Sequence, residues 1–173
     1  RALCRQASHF ARHGLIEQAK SAIADVRKTY GNSLEPEVAA WLFLAEGIIQ
    51  FSQGEFDAAH DRVTRGYGIS EALNAPLARP SCAAWLAHIK FNLNEYRGML
   101  PLLRFVLKDA PRDDHQALAR ASLVLADAVH FAGDFLLARP WYDAARQHAT
   151  QEGDDATMSA LLHNVAAFRA TNA

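Results

Sequence analysis

Four short stretches of this chain repeat one pattern at a nearly fixed interval. Gly14, Gly54, Asn94 and Gly133 stand 40, 40 and 39 residues apart, in HGLIEQA, QGEFDAA, LNEYRGM and AGDFLLA. Gly and Asn are the residues that tolerate the left-handed backbone ending many helices. Two residues after each corner stands a large apolar side chain (Ile16, Phe56, Tyr96, Phe135), suited to pinning the turn. Three further on come Ala19, Ala59, Met99 and Ala138, and seven before each corner come Ala7, Gly47, Ala87 and Ala126. Small or flexible side chains at these places let two helices approach closely. Pro101 and Pro140 each lie seven after a corner, which predicts a shared kink or a late helix start.

Between the corners the apolar spacing is helical. Leu15, Ala19, Ala22, Ile23, Val26 and Tyr30 form one stripe, and Leu118, Ala121, Val124, Leu125, Ala128 and Val129 another. Turn residues break the pattern at Gly31-Asn32-Ser33, Asn74-Ala75-Pro76, Ala110-Pro111-Arg112-Asp113 and Gly153-Asp154-Asp155. The expected helices cover about 2–13, 15–30, 36–52, 55–73, 79–92, 95–109, 114–131, 134–152 and 155–171. They form an all-α array of helix pairs, with repeats at about 1–34, 35–75, 76–112 and 113–153 and a partial fifth over 154–173.

On these residues the chain resembles the tetratricopeptide-repeat (TPR) family. That pattern has a small residue in the first helix, Gly at the corner, an aromatic two later and Ala in the second helix. The family period is shorter. The longer one here is similar to TPR-like arrays in large bacterial signalling regulators, such as maltose-regulator-type transcription activators and sensor proteins joined to cyclases. Glu46, Gln50 and Lys90 stand where the family is usually apolar. The final stretch ALLHNVAAFRATNA resembles a first helix of the family, and one more period after Gly133 falls near Ala173. This predicts that the array stops at a fifth corner, that the natural protein continues, and that its effector lies elsewhere. The opening residue, Arg1 in place of Met, fits the same expectation of an excised piece.

Composition narrows the function. Half the residues are hydrophobic, and 18 Lys and Arg nearly balance 19 Asp and Glu. Nucleic-acid binding rests on clustered positive charge, so the expected partners exclude nucleic acid. The longest apolar run, Val38 to Ala45, is too short to span a bilayer and stops at Glu46. The two cysteines, Cys4 and Cys82, fall two repeats apart. Neighbouring helices pack about 8–10 Å apart, beyond the ~7 Å reach of a disulfide. Both are expected as small buried hydrophobes, which suits a reducing cytoplasm.

Chemical motifs are sparse. No phosphate-loop pattern occurs, and Gly66-Tyr67-Gly68 reads as helix packing. His9 and His13 share a helix face, but no further ligand pattern accompanies them, so no metal or other cofactor is expected. Ser81, Cys82, Ser122, His88 and Asp127 supply nucleophile and base types without a nucleophile elbow, so the chain is read as no enzyme. Asp113-Asp114 and Asp154-Asp155 precede helices and are expected as caps.

A groove remains. Stacked helix pairs curve into a superhelix whose inner wall is built by the first helix of each pair. By corner phase that wall would carry Trp41, Leu44, Ile48 and Phe51, then Ala84, His88 and Phe91, then Leu123, Asp127 and His130. The competing reading makes Trp41 and Phe51 inter-repeat core. Arg and Lys do not gather on this wall, which argues against a clamp for an acidic chain end. The resemblance implies a scaffold that docks a protein or peptide segment there. The alternatives are a small-ligand sensor in the same groove, and self-association through the open end of the array.

Overall fold

The structure, a computed structural model, describes residues 2–31 and 34–171. Among them are nine helices: α1 Ala2–Arg12, α2 Ile16–Tyr30, α3 Pro36–Ser52, α4 Phe56–Ala72, α5 Arg79–Asn92, α6 Tyr96–Asp109, α7 His115–Phe131, α8 Phe135–Glu152 and α9 Asp155–Thr171. No strand occurs among the described residues. Asn32, Ser33 and the expected fifth corner at Ala173 lie outside them.

The corners are built alike. Gly14, Gly54, Asn94 and Gly133 have φ of 72°, 80°, 60° and 96°. Each amide donates back three residues, as from Gly54 to Phe51 at 3.0 Å. The next amide donates back five, as from Glu55 to Gln50 at 2.9 Å. This is the Schellman arrangement, which satisfies the orphan carbonyls of a helix end. In the last three pairs the side chain two after the corner meets the ring three before it. Phe56 packs on Phe51 at 5.2 Å, Tyr96 on Phe91 at 6.0 Å and Phe135 on His130 at 4.9 Å between centroids.

The corners fold the chain into antiparallel pairs: α1 with α2, α3 with α4, α5 with α6, α7 with α8. The odd-numbered helices then stack in order, α1 on α3, α3 on α5, α5 on α7 and α7 on α9, and each even helix also touches the next odd one. The architecture is therefore an all-α helix-pair array with an inner row of odd helices. One apolar core runs from Cys4 to Val124, and a smaller one joins Leu123, Ala126, Ala138, Tyr142, Ala145 and Leu161. Cys4 and Cys82 are buried free thiols, as expected. Glu46 is kept at its unusual place by Arg27 and by Arg62 at 3.3 Å. Lys90 lies over Gly98 and pairs with Glu95 at 2.5 Å. At Pro101 and Pro140 the late helix start is not found, since α6 begins at Tyr96 and α8 at Phe135. Both prolines sit on exposed faces, where the freed carbonyl can reach water.

Close approach explains the small residues. A Cβ on Gly47 would lie 2.4 Å from Cγ2 of Val63, which is fully buried, and 3.3 Å from the Ala59 carbonyl. Valine there cannot be accommodated without moving α4. Gly47→Val should therefore lower unfolding stability by about 2–3 kcal/mol, within the usual cost of overpacking. Urea denaturation measures it, and an unchanged midpoint would mean that α3 and α4 are not in contact at Gly47.

Candidate functional site

The odd helices place their corner-proximal turns side by side. His88 and Phe91 come from the end of α5, Asp127 and Phe131 from the end of α7, and Asn164 from α9. Asn92, Asn94 and Tyr96 follow from the α5–α6 corner. Together they line a cleft of about 350 Å³. One wall is aromatic: the Phe91 ring meets Tyr96 at 6.0 Å and Phe131 at 6.4 Å, both edge-on. Phe131 is 65% exposed although it is large and apolar. Tyr96 donates its hydroxyl to Oδ1 of Asn94 at 2.7 Å, and Asn92 donates Nδ2 to the His88 carbonyl at 2.9 Å.

Asp127 is the most unusual group. It is only 5% exposed. Its Oδ1 accepts from the Tyr142 hydroxyl at 2.8 Å and its Oδ2 from Nδ2 of Asn164 at 2.8 Å. Both donors are neutral, and Asp127 forms no ion pair with any described residue. Burial pushes its carboxyl up to about 6, against the two hydrogen bonds and the field of Arg120. Tyr142 has one hydroxyl proton, used on Asp127. Its oxygen therefore accepts from Nδ1 of His130 at 3.1 Å, which places the His130 proton on that nitrogen. Burial also lowers the His130 pKa.

His88 stacks beside this floor, with Phe51 at 4.8 Å and Trp85 at 5.5 Å. Burial and then the field of Arg120 hold its pKa well below the usual histidine value. A guanidinium can only donate, so Nδ1 of His88 accepts from Nη1 of Arg120 at 3.5 Å and the ring carries its proton on Nε2. Arg120 lies over Trp85, 4.2 Å from the centroid, and donates to the Thr157 hydroxyl at 3.2 Å. Burial lowers its pKa to about 10.

Behind Arg120 the two ends of the array meet. Arg12, in the last turn of α1, donates to Oδ2 of Asp154 at 2.5 Å, and both side chains are almost fully buried. Asp154 also caps α9 by accepting from the Thr157 amide at 3.1 Å, and it accepts from the Thr157 hydroxyl at 2.8 Å. The sequence expectation of a cap holds, and the ion pair is added to it. No described arginine or lysine lines the cleft itself; Arg12 and Arg120 of the inner helices are buried behind it. The array curls enough for the Arg12 side chain at the end of α1 to reach Asp154 at the start of α9, while Arg120 bonds Thr157 beside it.

Of the groove residues expected from corner phase, His88, Phe91 and Asp127 line the cleft. Phe51 packs beside it on Trp85 and His88, and His130 sits behind Asp127. Leu44, Ile48, Ala84 and Leu123 are buried core, so they offer a partner no surface. Trp41 is 4% exposed, and its indole donates to Oε1 of Glu37 at 3.0 Å. What little it shows faces a separate cleft of about 260 Å³ with Arg5, Pro76, Leu77, Pro111, Asp113 and Asp114. Curling draws these inter-repeat loops over Trp41, so the inner wall is not one open groove. Corner phase missed Trp85, Tyr96, Phe131 and Asn164. Phe131 was legible as a large apolar residue two before its corner, where the other repeats carry Arg12, Ser52 and Asn92.

A further hollow of about 500 Å³ lies between α8 and α9, edged by Phe135, Arg139, Arg146 and Leu162, with Leu136 80% exposed nearby. Among the described residues no three His, Cys, Asp or Glu side chains are grouped as metal ligands. No described helix is long and apolar enough to cross a membrane. No family model, no curated protein and no solved structure matches the chain.

Proposed function

We propose that this chain is a non-catalytic docking module, a TPR-like array of a bacterial multidomain signalling or regulatory protein, that holds a segment of a protein partner at the corner end of α5, α7 and α9. The observation that carries the reading is the cleft there. An aromatic wall of half-buried Phe91 with exposed Tyr96 and Phe131 stands over a buried polar floor. Binding energy concentrates at aromatic anchors over desolvated polar groups, ringed by groups that exclude water. Asn92, Asn94 and Asn164 each commit one amide atom to an internal hydrogen bond. Their second amide atoms suit the backbone N–H and C=O groups of an extended segment.

Peptides selected from a random library on the immobilised protein test this. Phe131→Ala should weaken the selected peptides by about tenfold or more, the usual loss at a hot spot. Leu136→Ala, on the exposed face of α8, should leave them unchanged. Phe131 is mostly exposed, so its removal should leave thermal unfolding nearly unaltered. Equal binding to wild type and Phe131→Ala would refute the cleft as the docking site.

A further inference from the structure

Asp127 is costly where it stands. A carboxylate removed from water needs a counter-charge or a full set of donors. Asp127 has two neutral donors and no ion pair among the described residues. Arg120 acts on it through its field, while its terminal nitrogens bond His88 and Thr157 and its plane lies over Trp85. The other titratable neighbours bring no charge. His88 is held neutral, burial lowers the His130 pKa, and His130 bonds the Tyr142 hydroxyl that donates to Asp127. The carboxylate nevertheless lines a cleft, and that cleft is walled by Phe91, Tyr96 and Phe131. Aromatic faces attract cations through their ring quadrupole, and most strongly where water is excluded. A buried carboxylate with no ion-pair partner among the described residues, at the foot of an aromatic wall, is the chemistry of an organic-ammonium site.

We infer that the cleft between α5, α7 and α9 receives an alkylammonium group, carried as the lysine side chain of the docked segment, with Asp127 as its counter-ion and Phe91, Tyr96 and Phe131 around its methylene stem. The cleft volume of about 350 Å³ lies at the small end of ligand sites. That suits one side chain better than a large cofactor. Tyr142 and Asn164 hold the two carboxylate oxygens in place and so act as positioning residues. The inference rests on the docking reading and deepens it by naming what the segment must present.

The test uses three probes on the whole chain: an alanine-glycine heptapeptide with a central lysine, the same peptide with norleucine, and free pentylammonium. Calorimetric titration of wild type should show the lysine peptide binding about tenfold or more tightly than the norleucine peptide, as expected for a desolvated charge pair. Asp127→Asn keeps the shape but leaves one oxygen to accept from Tyr142 and Asn164, with an NH2 group in place of the other, and should abolish that preference while the protein still unfolds cooperatively. The norleucine comparison needs no variant, so it stands even if Asp127→Asn folds poorly. Equal binding of the lysine and norleucine peptides, or a lysine preference that survives in Asp127→Asn, overturns the ammonium site. Saturable pentylammonium binding with no binding of either peptide keeps the ammonium chemistry and overturns the docked segment as its source.

Discussion

Asp154→Ala is expected to cost about 3–5 kcal/mol of unfolding stability, the loss that follows when one partner of a buried ion pair is removed. Arg12 and Asp154 are each almost fully buried and 2.5 Å apart, so neither can turn to water when the other is lost. Asp154 also caps α9 through the Thr157 amide and holds the Thr157 hydroxyl. The substitution therefore strips a helix cap as well. Stability should show the pair in its pH dependence too. Burial alone would raise the Asp154 carboxyl, but Arg12, the Thr157 hydrogen bonds and Arg120 outweigh it and hold it below its ordinary value. Its contribution is thus present above the unfolded carboxylate range, and it is lost as pH falls through the lower folded value. Asp127 works in the opposite sense. Its folded carboxyl sits near 6, so the folded state binds the extra proton between about pH 4 and pH 6, and stability falls as pH rises through that window. Urea unfolding of wild type and Asp154→Ala across pH separates the two. An Asp154→Ala protein as stable as wild type at neutral pH would mean that the ends of the array do not meet at Arg12.

Trp41→Ala should cost about 3–5 kcal/mol, the range for deleting a buried aromatic. The indole is enclosed by the loops at Pro76 and Pro111 and bonded to Glu37, itself buried. Truncation leaves both a cavity and a buried carboxylate without its donor. The selected peptides should still bind whatever fraction of Trp41→Ala remains folded, with unchanged affinity. A Trp41→Ala protein of wild-type stability that loses the peptides would return Trp41 to the groove and move the docking site along α3. The wild-type and variant proteins need only calorimetry and peptide titration to distinguish these results.

The architecture was legible because its determinants are local. A left-handed corner demands Gly or Asn at one position, and a fixed period repeats that demand four times. The small residues at Gly47 and Gly66 were legible for the same reason, since two helices cannot touch there with a side chain between them. Which face of each inner helix stays open was not legible, because it depends on how tightly the pairs curl. That curl is written in contacts such as Arg12 with Asp154, 142 residues apart, and no local pattern announces them. Phase alone put Trp41 and Asp127 on one wall. The structure divides them, with Trp41 under the inter-repeat loops and Asp127 at the corner end. Arg120 stands thirteen before its corner, the same phase as Trp41 and Ser81. With Arg1 thirteen before Gly14, two of the four repeats carry a cation at this phase, the available sign that the inner row is not uniformly apolar. Asn164 could be placed on the last helix, but nothing in its own stretch ties it to Asp127, 37 residues earlier.

The docking cleft is most directly tested by mapping amide resonances of the isotope-labelled protein as the lysine-centred heptapeptide is added. The shifts should gather at His88, Phe91, Asn94, Asp127, Phe131 and Asn164 and should need about tenfold more peptide or greater in Phe131→Ala. Shifts centred instead on Leu136, Arg139 and Leu162 at the α8–α9 hollow, or spread over the surface without saturation, would contradict the account.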